Sequence, residues 1–223
     1  MISAPNAQQE VDLCVAGNQE ICGAVVLDTP GNNSVTLQNF NLASLETKGV
    51  DIEGDYRANL ADWNLPGRFT VRALATRTLN FITNTGVVGT IPSEGAGGNL
   101  GGTPKWKLLA QQTWENDRMS FTLSQRWFSD GVYSNEYIEC QTNCPASTII
   151  HPTIYDNKMK GATYVDFGGS YNFSKALQLY FKIDNLADRD PEPAPQANAS
   201  FAINPTLYDV VGRTYRIGLR GTY

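Results

Sequence analysis

The chain has 223 residues and a formal net charge of −5, with 41% hydrophobic and only 17% charged residues. Its apolar runs are much too short for a transmembrane helix, which needs about 20 such residues in succession, and the absence of a basic cluster argues against a nucleic-acid partner. The composition remains compatible with a membrane β-barrel, because only one face of each strand in such a barrel must be apolar.

Residues 1–43 are the least regular part of the chain. The stretch NAQQEVDLCVAGNQEIC (6–22) has a helical composition over one or two turns, and DTPGNNS (28–34) is a turn between two short apolar runs. We therefore predict a short helix followed by a hairpin. The first residues lack the basic and apolar segments of a signal peptide.

The four cysteines form two close pairs, Cys14 with Cys22 and Cys140 with Cys144. The paired CxxC spacing of a four-cysteine zinc site is absent, and His151 is the single histidine of the sequence. Two local disulfides made in an oxidising compartment are the preferred interpretation, and zinc coordination is the alternative. Because disulfides need export and no export signal is present, we expect the natural chain to begin upstream of Met1.

From about residue 49 onward, apolar residues recur with period 2, which predicts half-apolar β-strands. Seven segments follow this pattern: GVDIEGDYRANL (49–60), RFTVRALATRTLN (68–80), KWKLLAQQTW (105–114), RMSFTLSQRWF (118–128), TYVDFGGSYNF (163–173), LQLYFKIDNL (177–186) and TYRIGLRGTY (214–223). One such strand would also suit a soluble sheet with one wet face, so the number of strands matters more than any single one.

The connections between these segments alternate strictly in length. Short turns lie at 61–67, 115–117 and 172–176, and long loops lie at about 82–103, 129–160 and 187–211. In an up-and-down sheet, all short turns then fall at one end and all long loops at the other. Outer-membrane barrels show this arrangement, with short periplasmic turns and long extracellular loops.

Aromatic residues gather at the ends of the predicted strands. Trp106 and Trp114 are eight residues apart on one face, about 26 Å along the strand or about 20 Å of height once the strand is tilted. Trp63, Phe173 and Tyr223 join Trp114 at the short-turn end, and Trp127 and Tyr164 join Trp106 at the long-loop end. We interpret Trp63, Trp106, Trp114, Trp127 and Phe173 as an aromatic girdle at the membrane interfaces. Packing in a soluble core is the alternative.

The opposite face of the strands carries charges of both signs, which need water or one another. They are Asp51, Glu53, Asp55, Arg57, Arg72, Lys105, Lys107, Arg126, Asp166, Lys182, Asp184, Arg216 and Arg220. We predict that they face a hydrated lumen or a plug domain. An ordinary solvated sheet face is the alternative, but it would leave the apolar face in need of a covering layer.

The last strand ends on an aromatic residue. Tyr215, Ile217, Leu219, Gly221 and Tyr223 share one face. This series resembles the C-terminal signal of outer-membrane barrels, which the barrel assembly machinery reads.

Four segments together resemble the C-terminal part of a TonB-dependent outer-membrane receptor. They are NLASLETKGVDIEGDY (41–56), GGTPKWKLLAQQTW (101–114), LQLYFKIDNLADRDP (177–191) and YDVVGRTYRIGLRGTY (208–223). Cys14 and Cys22 resemble a pair in an external loop of one branch of this family. The resemblance implies an all-β, antiparallel, up-and-down transmembrane barrel with an N-terminal plug and 22 strands.

About seven of those strands are present here, so we expect a truncated piece of the barrel that does not transport by itself. Residues 1–43 would form an extracellular loop with a short helix and hairpin, and residues 44–223 the C-terminal strands. The resemblance implies energy-coupled uptake of a scarce nutrient: a siderophore–iron complex, cobalamin or an oligosaccharide. It also implies three macromolecular partners: outer-membrane lipid, the barrel assembly machinery and, through the missing plug, the TonB complex.

The ligand-facing parts would then be the loops at 1–40, 80–104, 132–159 and 188–211. Four loop tyrosines there are candidates for stacking on a sugar or siderophore, although such residues are common in loops: Tyr133, Tyr137, Tyr155 and Tyr208. No cofactor or metal site is expected. The substrate itself is not encoded in any motif that we recognise.

Three other functions are alternatives, and each requires a further feature of the sequence. A complete small barrel with a structural or adhesive role would need residues 22–40 to supply an eighth strand, since such barrels have even strand numbers. A barrel enzyme would need an activated nucleophile or base, and His151 has no Ser–His or Asp–His context. A soluble sugar-binding sandwich would require the apolar faces to meet each other in water.

Overall fold

One antiparallel sheet dominates the computed structural model, which describes residues 2–3, 7–17, 19–26, 33–37, 40–41, 44–84, 91–148, 151–194 and 203–221. Its seven long strands are β1 (Ser44–Asn59), β2 (Arg68–Asn84), β3 (Trp106–Glu115), β4 (Met119–Phe128), β5 (Ala162–Asn172), β6 (Leu177–Asp184) and β7 (Thr214–Gly221). Each strand pairs with its neighbour in sequence. The predicted up-and-down order of seven strands is therefore confirmed, and β1 and β2 extend further toward the long loops than expected.

The sheet is open in the described part of the chain, because β1 and β7 are its two edges. The eighth spanning strand that a small closed barrel would need is not found among the described residues of 22–40. Instead, Val25–Val26 and Ser34–Val35 form a hairpin two residues deep, in a sheet of their own. Helices span Ala7–Val15 and Gln19–Cys22, and Ile2–Ser3 pairs with Phe40–Asn41.

The short turns are built from asparagines and serines that bond their own backbone. Asn59 caps a 3₁₀ turn at Leu60–Trp63 by accepting from the backbone N–H of Ala61. Asn116 accepts from the N–H groups of Arg118 and Met119, both at 2.9 Å. Asx-type bonds of this kind replace the ladder bonds that a reversing chain loses, so these sequences turn at the predicted positions.

The long loops contain short regular pieces rather than irregular chain alone. Gly131–Val132 pairs with Lys158–Met159, Ile138–Glu139 pairs with Thr153–Ile154, and Ser93–Glu94 pairs with Ile82 and Thr83 at the end of β2. These pairings fold the loops back toward the sheet. They place the loop segments close enough to share side-chain contacts.

Cross-strand register divides the sheet into two faces, which we call the polar face and the apolar face. One row of the polar face runs Asp55, Arg72, Gln111, Ser124 and Asp166 across β1 to β5. One row of the apolar face runs Ala58, Phe69, Trp114, Phe121, Gly169, Phe181 and Ile217 across all seven strands. The period-2 pattern therefore sorts the side chains as the sequence predicts.

A row of stacked aromatic rings crosses the apolar face around Gly169. The ring centroids of Trp114 and Phe121 are 5.9 Å apart, and those of Phe121 and Phe167 are 6.1 Å apart. A Cβ at Gly169 would lie 2.6 Å from Phe121 and 2.9 Å from Phe181. The glycine is thus required by the rings that close over it, a known way of filling the gap that a glycine leaves in a sheet.

A β-bulge at Lys48/Gly49 shifts the pairing of β1 with β2. Beyond it, Phe81 pairs with Thr47, which belongs to the polar face of β1. The bulge therefore turns Phe81 and Thr83 onto the polar face at the loop end of the sheet. Without the bulge, these two residues would lie on the apolar face with Arg77.

No helix within the described residues is long and apolar enough to cross a membrane.

Candidate functional site

The charged residues singled out from the sequence lie together on the polar face, and several form ion pairs. The Nε atom of Arg72 is 2.8 Å from Glu53 Oε1, and Lys182 Nζ is 2.6 Å from Asp184 Oδ1. Arg216 also pairs with Asp184. Most of these side chains are well exposed to solvent, so each pair adds little to stability. Their common face fits a wet surface of the sheet.

Two arginines of the polar face stack on tyrosines instead. The guanidinium carbon of Arg126 is 5.2 Å from the ring centroid of Tyr164, and that of Arg220 is 6.0 Å from that of Tyr180. Tyr164 therefore lies on the polar face, paired with Arg126 in the ladder. Its grouping with the aromatics at the membrane interface was wrong, because it stands one residue out of phase with the apolar side chains of β5.

The proposed girdle residues fall at the two ends of the strands. Trp106 and Trp127 lie on the apolar face toward the long loops, and Trp114 lies on the same face at the short-turn end. Trp63 and Phe173 follow strands at the short-turn end and are largely exposed. The guanidinium of Arg77 stacks 5.3 Å from the ring of Trp106. The assignment of these residues to two interfacial bands stays a prediction.

The apolar face has one polar exception near its middle, where Gln112 and Gln125 bond to each other. Gln112 Nε2 donates to Gln125 Oε1 at 3.0 Å, and Gln125 Nε2 donates to Gln112 Oε1 at 2.8 Å. Each amide satisfies the other, which makes the pair tolerable where no water is available.

This pair offers a test of what covers the apolar face. If lipid covers this face, Gln112→Leu and Gln125→Leu should each destabilise the folded chain by about 1–3 kcal/mol. Each single variant leaves the remaining amide in hydrocarbon without a hydrogen-bond partner. The double variant should regain most of that loss. Urea unfolding of the chain in lipid vesicles, followed by tryptophan fluorescence, measures the three values. Near-neutral single variants would mean that water reaches this face.

The strand that ends the described chain has the predicted alternation. Tyr215, Ile217 and Leu219 pair with Ile183, Phe181 and Leu179 on the apolar face and are all highly exposed. Tyr223, the last member of the predicted assembly signal, lies outside the described residues.

Both cysteine pairs are joined as disulfides, Cys14 to Cys22 and Cys140 to Cys144. The first links the two helices of the N-terminal segment, and the second closes a turn within the loop between β4 and β5. The four sulfurs are therefore not available to bind zinc. Nowhere in the described ranges do three or more His, Cys, Asp or Glu residues form a metal-binding group.

A buried cluster, which we call the loop core, joins the long loops to the polar face. It consists of Phe128, Tyr133, Met159, Ala162, Tyr164 and Tyr208. Met159 and Tyr164 are almost completely inaccessible to solvent. Phe128 and Tyr208 meet edge to face, with centroids 5.1 Å apart. Members come from β4 and β5 and from the β4–β5 and β6–β7 loops, and Leu100 of the loop between β2 and β3 packs against them, so the loops form one packed body.

Hydrogen bonds from buried asparagines tie these loops together. Asn99 Nδ2 donates to the carbonyl oxygen of Ser129, and Asn204 Nδ2 donates to that of Asn99. Asn157 Nδ2 and Oδ1 bond the backbone of Ser134. These residues were not predicted as functional. The sequence feature that could have indicated them is the GAGGNLGG stretch (95–102), because so many glycines in one loop indicate close packing of the backbone.

The hydroxyl of Tyr208 is held inside the loop core, where it donates to the carbonyl oxygen of Lys160 at 2.5 Å. Burial raises the pKa of Tyr208 to about 12, and the charge of Glu192 contributes further. Tyr208 is therefore a structural residue and not an open stacking platform. Of the four candidate tyrosines, Tyr155 is exposed, and the half-buried Tyr137 stacks on Tyr133 with centroids 5.0 Å apart.

This raised pKa gives a signed dependence of stability on pH. Between pH 10 and 12, Tyr208 ionises in the unfolded chain but stays protonated in the folded chain, so stability should fall as pH rises through that window. Below pH 10 the contribution is complete. Urea unfolding at pH 9 and at pH 11 should show a smaller loss for Tyr208→Phe than for the unaltered protein. Equal losses in both would refute this role.

Beside the loop core lies a cavity of about 260 Å³, which we call the loop cleft. Its main side chains are Phe81, Thr83, Ser93, Glu94, Tyr133 and Ser134, and the backbone of the glycine loop at 95–102 forms one wall. The bulge in the first hairpin supplies its floor, because that bulge turns Phe81 and Thr83 to this side.

Two sets of hydrogen bonds fix the shape of the loop cleft. Glu94 Oε1 accepts from the backbone N–H groups of Phe81 and Ala96, both at 2.8 Å. Asn135 Nδ2 donates to the carbonyl oxygens of Glu94 and Ala96, at 2.7 and 3.1 Å. The first set ties the glycine loop to β2 and the second ties it to the next long loop. The cleft is therefore formed in advance of any ligand.

A second, wider depression of about 430 Å³ lies on the polar face itself. Its lining is rich in small residues, including Ser120, Thr122, Ser124, Gly168 and Ser170. A depression with small hydroxyl side chains can receive a packed protein segment or ordered water.

Comparison with known proteins gives the family. Residues 23–186 match the family described as TonB dependent receptor-like, beta-barrel. No curated protein sequence matches the chain. Two structures of variants of the ferric enterobactin receptor from Pseudomonas aeruginosa are similar in fold, both with a TM-score of 0.53. Their identities are 18% and 19%, and the second was solved with enterobactin.

The similarity covers 89% of this chain but only 26% of each of those chains. The protein described here therefore spans about a quarter of the length of the receptors that it resembles. The family match extends over well more than half of the chain, and the open seven-stranded sheet agrees with it. The chain belongs to the TonB-dependent receptor-like β-barrel family, whose members are receptors and transporters of the outer membrane.

Proposed function

We propose that this chain forms the C-terminal part of the wall and the extracellular loops of a receptor for energy-coupled nutrient uptake. One observation carries the proposal: a seven-stranded sheet with a charged face and an apolar face, whose long loops all pack into one body at the same end. The apolar face would meet outer-membrane lipid, and the charged residues would line the lumen.

In this proposal, residues 1–43 form an extracellular segment and residues 44–223 form wall and loops. Tyr215, Ile217, Leu219 and Tyr223 would serve the barrel assembly machinery. The TonB complex would act through the plug domain of the whole receptor. Uptake is thus a property proposed for the whole receptor, and this chain contributes the ligand-facing loops.

Topology labelling tests the proposal. A cysteine replaces either Tyr155, exposed in a long loop, or Ala61, exposed in a short turn. A membrane-impermeant maleimide should label Tyr155→Cys in intact cells and Ala61→Cys only after the outer membrane is opened. Equal labelling of both in intact cells, or recovery of the chain in the soluble fraction, would exclude the proposed orientation.

Energy coupling needs a separate measurement. In cells that produce the receptor, inactivation of TonB should abolish accumulation of the nutrient but leave its binding at the surface intact. Accumulation that continues without TonB would exclude an energy-coupled importer.

A further inference from the structure

The loop cleft lies against the packed loops, and the charged residues of its lining are all acidic. No Lys, Arg or His lies among the residues that line it, whereas two glutamates, Glu94 and Glu136, do. A ligand carrying phosphate, carboxylate or catecholate groups would enter without a counter-ion and would face two carboxylates. Bringing like charges together in a partly dehydrated cavity is unfavourable.

The surrounding loops repeat this charge pattern. Residues 85–105, 129–161 and 185–213 contain nine acidic residues, Glu94, Asp130, Glu136, Glu139, Asp156, Asp188, Asp190, Glu192 and Asp209, against five basic ones, Lys105, Lys158, Lys160, Arg189 and Arg213. Three of the basic residues are already in ion pairs, Lys158 with Glu139, Lys160 with Glu192 and Arg213 with Asp188. These three loop segments therefore carry a net negative charge, which disfavours the binding of anions to them.

The polar groups of the loop cleft suit hydroxyl groups instead. Thr83, Ser93 and Ser134 each offer a hydroxyl that can donate and accept, and Glu94 offers a carboxylate. The backbone bonds to Glu94 both end on Oε1, so Oε2 is the oxygen that a ligand hydroxyl would meet. Hydrogen bonds from neutral hydroxyls to a fixed carboxylate are strong without requiring a charged ligand.

The apolar groups of the cleft complete the match. Tyr133 is buried in the loop core and backed by Tyr137 at 5.0 Å, so its ring is held rigidly. Phe81 and Leu100 add apolar surface. Flat rings pack well against the C–H faces of a sugar ring by dispersion. The volume of about 260 Å³ lies below the range of about 300–1,000 Å³ for drug-sized ligands, so the cleft takes one end of a larger molecule.

We infer that the loop cleft binds a neutral, polyhydroxylated ligand of the oligosaccharide type. The inference rests on the proposed receptor function, for which it names the substrate class. Glu94 and the three hydroxyl residues recognise the hydroxyl groups, and Tyr133 and Phe81 receive the apolar face of a sugar ring. Specificity against anionic siderophore complexes follows from the two carboxylates.

A binding experiment on the full chain in lipid vesicles tests this inference. The probes are maltotriose, cellotriose, xylotriose and N,N′,N″-triacetylchitotriose, with ferric enterobactin as the anionic comparison, each titrated by calorimetry. At least one neutral trisaccharide should bind, and ferric enterobactin should not. Binding of ferric enterobactin alone, or of none of the five probes, overturns the inference. The topology labelling would still stand in either case, so the two failures are distinguishable.

Variants locate the site. Glu94→Gln keeps an oxygen for the two backbone N–H groups but removes the charge, and should weaken binding of the trisaccharide about tenfold. Glu53→Gln makes the same chemical change in the middle of β1, outside the loop cleft, and should leave affinity unaltered. Thr83→Trp fills the cavity and should abolish binding. Circular dichroism checks that each variant is folded. Full affinity in Thr83→Trp would show that the ligand binds outside the loop cleft and would overturn the inference.

Discussion

Gly102→Ala is expected to disrupt the glycine loop and with it the loop cleft, at a cost of about 3 kcal/mol or more. A Cβ on Gly102 would lie 2.0 Å from the carbonyl oxygen of Gly95 and 2.8 Å from that of Gly98. Both neighbours are backbone atoms within a loop whose residues 96–99 are buried, so neither can move aside cheaply. Urea unfolding in lipid vesicles gives the free-energy difference.

The adjacent residue supplies a matched control. A Cβ on Gly101 would meet nothing within 4 Å, and the residue is exposed. Gly101→Ala should therefore unfold at the same urea concentration as the unaltered chain. If both alanine variants behave alike, the close approach of the backbone at Gly102 does not determine the loop structure.

Tyr164→Ala is expected to separate the loops from the sheet. Tyr164 is 1% exposed, packs within the loop core, and accepts a hydrogen bond from the backbone N–H of Asp209 at 3.1 Å. Removing a buried aromatic ring costs about 3–5 kcal/mol. Because β5 is held by its ladders to β4 and β6, this loss should appear as opening of the loops and not of the sheet.

Hydrogen exchange read by mass spectrometry resolves where the opening occurs. Peptides from 129–161 and 203–213 should exchange faster in Tyr164→Ala, while peptides from β2 and β3 keep their protection. Tyr155→Ala, at a loop tyrosine that is 69% exposed, should change neither. Uniform loss of protection across the sheet would show that the loops and strands unfold as one unit.

The long loops show why the local sequence pattern does not identify the residues of a binding site. Tyr133, Tyr137, Tyr155 and Tyr208 are alike in sequence as aromatic residues in polar loops, but the fold gives them different surroundings. Tyr208 is buried and bonded, Tyr133 is buried at the cleft, and Tyr155 is exposed. Contacts between segments that are far apart in the chain decide these differences, as with Asn204 and Asn99, which are 105 residues apart.

Phe81 shows that contacts between strands can also override the local pattern within a strand. Period-2 alternation assigns a face only while the register is unbroken, and the bulge at Lys48/Gly49 reverses it for the end of β2. The sequence carries no clear signal of that bulge. The loop cleft, which depends on Phe81 and Thr83, was therefore not predictable from alternation alone.

Alternating polar and apolar residues, short turns and long loops were enough to determine the strand order, the two faces and the membrane-wall architecture, because each depends on neighbours within one hairpin. The disulfide partners are also close in sequence, only eight and four residues apart. Only the tertiary structure decided the loop core, the inward position of Tyr164 and the cleft at Glu94. These arise where three long loops meet, and packing between distant segments leaves no periodic trace in the sequence.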